Sequence, residues 1–438
     1  MKYQVEFTKT ASKKFQKLDS SIKKILLSWI TKNLQNCSNP RVFGKALKGN
    51  LSDKWRYRVG DYRIMARIEG FQVALQHYFE KSIVSYSVKT NSLPWCLKEA
   101  GNLGCYAEVV SYDEYKLALL CGYEKNNIIY NGPMKSKETF LDAIQSDAIV
   151  NVECHRELEW LTCLPKNKRY KIGIRLNINI SKISKLDANG DNDDSRFGFC
   201  VGSGEFEAVI KRIKTLENVD LVGLHIHRTS HQRRVEFYEN SISYAVQVIK
   251  KYHLDLQYID VGGGYFGIFA NHPTYDDYAA GFYRILKQNN LEKLTVIVEP
   301  GNGLVASAFS FLSSVIDVKQ VDDVRFITTD GSRNDVDPFF HKKDYMKTIF
   351  RKDGDRQNSP LQVIAGCTCL EYDRLFSLEN QPELHVGDRI LYHNVGAYTM
   401  ALSPQFIRLW ARVYSFDGKD YQEVRRASTA DDIMITSI

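Results

Sequence analysis

The stretch KSIVSYSVKTN, residues 81–91, runs through β-branched and aromatic side chains from Ile83 to Val88 and then delivers Lys89, Thr90 and Asn91. The run reads as a strand made to be buried. A lysine at the tip of such a strand is ordinarily solvated, so its meaning depends on what the rest of the chain builds around it. From residue 83 onward short apolar runs alternate with helical patterns. The strand candidates are 83–89, 105–110, 128–133, 148–153, 171–178, 221–227, 258–264 and 294–301, with helices such as SYDEYKLALLCG and RRVEFYENSISYAVQVIKKY between them. Eight strand–helix repeats predict a parallel (β/α)8 TIM barrel, whose chemistry sits at the carboxyl ends of the strands. Lys89, Glu108, Arg175, His227, Gly262, Gly263, Gly264 and Glu299 all fall at such ends.

Past residue 306 the helical patterns stop. SFLSSVIDVKQV, VRFITTDGS, LQVIAGCTC, DRILYHNVGAYT and FIRLWARVYSF read as strands of a mostly β domain. The expected organisation is a small basic α+β segment (1–70), the barrel (71–305) and a C-terminal β domain (306–438). With 438 residues, 44% apolar and 25% charged, the composition is that of a soluble multi-domain protein. MKYQVEFTKT lacks a signal-peptide core, no apolar run reaches membrane-spanning length, and the nine Cys are scattered without metal-like spacing. The expectation is a cytoplasmic protein with reduced thiols, no membrane association and no metal site.

The net charge of +7 conceals an asymmetry: residues 1–70 hold 16 Lys+Arg against five Asp+Glu, and the remainder carries an acidic excess. VEFTKTASKKFQKLDSSIKKILLSWITKNL starts as a strand and becomes an amphipathic helix. In KWRYRVGDYRIMARI the Gly60-Asp61 pair predicts a hairpin that gathers Arg56, Arg58 and Arg63 on one face. Like charges placed so favour an anionic partner, though a solvated face is equally compatible. These stretches, with GKALKGNLSDKWRYRVGDYRI, resemble RelE-type toxins, which cut mRNA on the ribosome. The resemblance implies residual nucleic-acid affinity at Arg56, Arg58 and Arg63. It ends near Gly70, without the family's further strand and tail, so the segment reads as an incomplete copy.

The VGGG turn offers backbone that can approach an anion with no Cβ in the way. The loops after strands seven and eight are the usual phosphate site of this barrel. A lysine amine, a phosphate cradle and a buried carboxylate together suit pyridoxal 5'-phosphate (PLP). Taken singly, a GGG turn is more often a tight turn and a buried histidine more often packing.

Residues from about 71 to the C-terminus resemble the fold-type III PLP-dependent decarboxylases, the diaminopimelate, ornithine and arginine decarboxylase group. YSVKTN, YAEVVS, GIRLN, SRFGF, LHIHRTS, DVGGG, EPG, GCTC and NVGAYT carry the likeness in order. The resemblance implies Lys89 as the cofactor lysine and Glu108 and Arg175 near it. It puts His227 on the ring face and Ser230 and Tyr398 near the phosphate, with Gly262, Gly263, Gly264 and Gly301 in the cradle and Glu299 on the pyridine nitrogen. It implies Cys369 as the acid that reprotonates Cα, substrate contacts at Asp337, Asp373 and Tyr398, and a homodimer in which each β domain completes the other chain's site. Four positions depart from the family: Asn302 where Arg is frequent, Leu370 where an acid follows the cysteine, Thr229 in place of Gly, and Asp337 near an expected Arg. A site lacking such charged partners discriminates against the matching charged substrate. Diaminopimelate, and with it lysine biosynthesis, is therefore a default. The open alternatives are a PLP-dependent racemase on the same barrel, which GCTC disfavours, a toxin-like RNA-binding protein fused to a passenger enzyme, and a structural PLP carrier, which the β domain disfavours.

Overall fold

The computed structural model describes residues 5, 27, 30, 31, 35, 44–46, 55–57, 63–184, 194–228, 233–267, 271–352, 354–417 and 419–436. In the basic segment β1 (Gly44–Ala46) pairs antiparallel with β2 (Trp55–Tyr57), setting Lys45 opposite Arg56. The hairpin expected across Gly60-Asp61 does not form. Arg63 opens a helix, Arg63–Tyr78, where a second strand was expected. Arg56 is on β2 and Arg63 on the helix, so these two do not share a strand face; Arg58 lies outside the described residues. The reason is periodicity: Ile64, Ile68, Phe71 and Leu75 recur at helical spacing, and all are buried. Phe71 stacks on Tyr275 with ring centroids 4.5 Å apart and meets Tyr265 edge-on at 5.0 Å. The buried Arg67 donates to the Leu304 carbonyl at 2.7 Å and to Ser307.

Eight parallel strands follow: β3 (Ser82–Ser87), β4 (Tyr106–Ser111), β5 (Ile128–Met134), β6 (Ile149–Val152), β7 (Tyr170–Asn177), β9 (Val219–His225), β10 (Tyr258–Asp260) and β11 (Thr295–Val298). Each pairs with the next, and β11 returns to β3, so the sheet closes; a short β8 (Phe199–Cys200) adds to the end of β7. The expected strand 83–89 stops at Ser87, and Val88–Thr90 is a tight 3-10 turn. Lys89 therefore sits on a turn beyond the strand. The connecting helices are capped by their own sequences: Ser111 accepts from the Glu114 amide, Ser136 from Thr139, and Thr274 with Asp277 forms a capping box.

The second sheet contains β12 (Ser310–Val321), β13 (Val324–Thr329), β14 (Lys347–Phe350), β15 (Asn358–Ala365), β16 (Arg374–Pro382) and β17 (Arg389–His393), in the order β14-β17-β12-β13-β15-β16. It closes over Val315, Ile327, Ile364, Phe376, Ile390 and Tyr392. Residues 64–408 form one compact unit, and residues 1–63 together with 409–438 another. In the latter, β18 (Val413–Phe416) and β19 (Tyr421–Arg425) make a hairpin, so the strand expected over 406–416 is only its last four residues. Ile407 takes a left-handed φ of 65°, which no strand tolerates.

The helix Arg63–Tyr78 is thus part of the barrel's core, and Phe71→Ala should cost about 3–5 kcal/mol. Urea unfolding with an unchanged m value is the check.

Candidate active site

The Val88–Thr90 turn aims the Lys89 Nζ at Glu108 on β4, 2.9 Å from Oε2 and 3.1 Å from Oε1. The Glu108 side chain is only 1% exposed and that of Lys89 35%, so the pair spans the boundary between barrel interior and mouth. Ser87 donates to the same carboxylate at 2.6 Å. Asn131, buried on β5, donates from one amide nitrogen to Glu108 at 3.3 Å and to Glu299 at 2.5 Å. His225 on β9 lies with Nε2 3.6 Å from Glu299, and His225, Asp260 and Glu299 bring donor atoms within 4.8 Å of one another, all three buried.

These neighbours decide who carries charge. Burial opposes an ammonium at Lys89, but Glu108 and Glu299 outweigh it and raise the amine above its ordinary value. Burial would likewise push Glu299 up, yet His225 and Lys89 hold it well below the usual carboxylate range. Asp260, buried beside Glu299, is pushed far up and keeps its proton. Burial, followed by Arg175 and Lys89, drives His227 well below its ordinary value, so its imidazole is neutral.

The glycine turn brings three strand ends together. Gly262 has φ +76° and Gly264 φ +96°; a Cβ on Gly262 would strike His227 and one on Gly263 would overlap the Glu299 carbonyl. Two of the three amides serve the protein itself. Gly262 donates to Asp260 and Gly263 to His227 Nδ1, both at 3.0 Å. That bond leaves the hydrogen of a neutral His227 on Nε2. Gly301 abuts Thr90, where a Cβ would not fit. Arg175 pairs with the buried Glu153 at 3.0 Å and donates to the His227 carbonyl at 3.2 Å, fixing the backbone that carries the imidazole. Ser230 lies outside the described residues.

The β domain meets the barrel beside the lysine. Tyr398 donates its amide to the Thr90 carbonyl at 2.6 Å, and Asn91 donates to the Gly396 carbonyl at 2.9 Å. Asp337 and Asp373, expected at the substrate, are instead spent inside the β domain. Asp337 accepts from Arg333 at 3.0 Å and from the Lys342 amide at 2.8 Å. Asp373 accepts from the Arg333 amide and from Thr368, tying down the 366–373 loop. Buried carboxylates so satisfied position a loop rather than await a ligand. Cys369 is exposed on that loop, and no described contact joins it to Lys89, Glu108 or Glu299. Sequence reasoning missed Asn131, His225 and Asp260. Their signals were a lone Asn inside IIYNGP, the first His of LHIH and the Asp before VGGG.

Against this geometry the comparisons fall into place. The model of the pyridoxal-dependent decarboxylase pyridoxal-binding domain matches residues 63–306, more than half of the chain, and the chain belongs to that family. It is by class a carboxy-lyase. The ParE toxin model of type II toxin-antitoxin systems matches residues 5–75, so the toxin-like reading of the N-terminal segment holds, under the ParE name. A diaminopimelate decarboxylase of Helicobacter pylori (strain J99) is 28% identical over 336 residues, 74% of this chain and 81% of the relative. L-glutamyl-(BtrI acyl-carrier protein) decarboxylase of Niallia circulans is 25% identical, over 80% of this chain and 87% of the relative. The crystal structure of M. jannaschii diaminopimelate decarboxylase in co-complex with L-lysine superposes with a TM-score of 0.75 at 24% identity, covering 87% of this chain and 91% of that one, a likeness of fold. Among the described residues no helix is long and apolar enough to cross a membrane.

Glu114 sits behind Glu108, and burial lifts it from the ordinary 4.5 to about 7 even though it accepts the Val110 amide. A folded-state value raised in this way favours the fold at low pH, and the advantage fades as pH climbs from 4.5 through 7. Glu114→Gln should flatten this slope, melting above the parent at pH 8 and no higher at pH 5, as thermal unfolding at the two values would show.

Proposed function

We propose that the chain is a PLP-dependent α-decarboxylase of an amino acid, with the barrel beginning at the helix Arg63–Tyr78 and giving way to the β domain near residue 306. The observation that supports the reading best is the Lys89 ammonium held against Glu108, with the ionised Glu299 on the far side of Asn131. The residues present fit the cofactor. The barrel mouth offers an amine, a neutral imidazole, an ionised carboxylate and a glycine turn so closely packed that a Cβ on Gly262 or Gly263 would not fit. Bound there, PLP supplies an aldehyde and a ring able to take up the electron pair released when the Cα–carboxylate bond breaks.

The chain's own groups do the rest. Lys89 would provide the amine that meets the aldehyde, and the Glu108 carboxylate lies within hydrogen-bond reach of it. Glu299 stays ionised and would be the group to keep a ring nitrogen protonated. His227 presents a neutral imidazole face. Cys369 is exposed on its own chain, which suits a thiol delivered to a second subunit; there it gives Cα the proton that replaces carbon dioxide. A homodimer with shared sites follows from that assignment.

Diaminopimelate, the substrate in the names of several relatives, is the first compound to test. Leu370 beside Cys369, together with the internal engagement of Asp337 and Asp373, favours a substrate whose far end is bound without those carboxylates. The acyl-carrier-linked glutamyl substrate of the N. circulans relative makes that second reading concrete.

Purified protein loaded with PLP and offered a panel of amino acids should release carbon dioxide from one of them. Lys89→Ala should abolish the cofactor's absorption near the visible edge. Cys369→Ala should keep that absorption while turnover falls at least 10-fold. Full turnover in the cysteine variant would remove the assignment of the acid.

A further inference from the structure

Three buried polar side chains cross the middle of the barrel. Tyr258, at the start of β10, donates its hydroxyl to Asn151 Oδ1 at 2.8 Å. Asn151 on β6 donates to Asn131 Oδ1 at 2.8 Å. Asn131 donates onward to Glu108 and Glu299. Each residue is at most 7% exposed.

The direction of this chain is forced. The ionised Glu299 carboxylate only accepts, so Asn131 must turn its nitrogen toward it and its oxygen toward Asn151. Asn151 is fixed in turn, and Tyr258 must donate. Burial raises the Tyr258 hydroxyl far above its ordinary value, so it keeps the proton it gives. The barrel is also shaped to admit the ring. A Cβ at Gly223 would overlap the Tyr258 ring, and one at Gly173 would overlap both its hydroxyl and the Asn151 oxygen. An apolar barrel core would avoid three buried amide and phenol groups unless they were fully satisfied, as they are here.

We propose that Tyr258, Asn151 and Asn131 are positioning residues that form a one-way hydrogen-bond relay, which fixes the Glu299 carboxylate in place for the cofactor's ring nitrogen. The proposal rests on the cofactor reading above. Aligned donors in a low-dielectric interior polarise one another, so a hydroxyl two residues away still strengthens the last bond. The groups that face Glu299 are His225, His227, Asp260 and Lys89, together with Asn131, and of these only Asn131 is oriented from across the barrel.

The test is PLP binding by the full chain, with and without the ring nitrogen. Tyr258→Phe keeps the ring in its glycine-lined hollow and removes the last donor. It should weaken PLP binding about 3- to 10-fold, the worth of one hydrogen bond. An analogue carrying carbon in place of the pyridine nitrogen should bind parent and variant alike. Asn151→Ser should show the same split. Tyr123→Phe loses a buried hydroxyl that donates to the Leu97 carbonyl outside the relay, and it should change neither affinity. Equal weakening of both ligands, or of neither, overturns the relay. If the parent itself takes up no PLP, it is the cofactor reading that fails.

Discussion

A cation at the mouth of an apolar barrel must be met by an anion, and here the Lys89–Glu108 pair meets that demand. Around it the site arranges its charges in alternation. Asn131 separates Glu108 from Glu299, His225 and Asp260 flank Glu299, and Arg175 keeps Glu153 ionised one strand further on. Desolvation alone would neutralise most of these groups. It does not at Lys89, Glu299 and Glu153, because each faces an opposite charge, whereas Asp260, facing another carboxylate, takes up a proton.

Lysine placement also depends on the second sheet. Thr90 and Asn91, immediately after Lys89, bond to Tyr398 and Gly396, and Tyr398 adopts a left-handed φ of +68° to reach them. A non-glycine residue in that region is held there by its surroundings. The β domain is therefore a structural support for the turn that carries the amine, apart from whatever its exposed cysteine loop offers a second copy.

The eight strands were legible because parallel strands buried on both faces are written as apolar runs; Lys89, His227 and Glu299 were legible because each closes such a run, and Glu108 and Arg175 because each puts a charge inside one. The helix Arg63–Tyr78 was misread because its first residues alternate as a strand would, and the turn pair before it reinforced the error. The relay was missed for a different reason. Asn131 and Asn151 sit inside strands, where a polar residue looks like an interruption, and only the closed sheet shows that Asn151 meets Tyr258 and passes the bond on to Asn131. Asp337 and Asp373 were placed at the substrate because a chain position says which loop an acid belongs to, but not whether that loop has already consumed it.

The helix Arg63–Tyr78 is claimed by both family matches. The toxin and decarboxylase models overlap on residues 63–75, so the seam between them falls inside a helix rather than in a tether. Arg67 and Phe71, which both models cover, serve the barrel core. Trimming the chain back to its enzyme half would have to stop ahead of Ile64, since a cut at residue 70 would carry off an arginine that the barrel uses as its own.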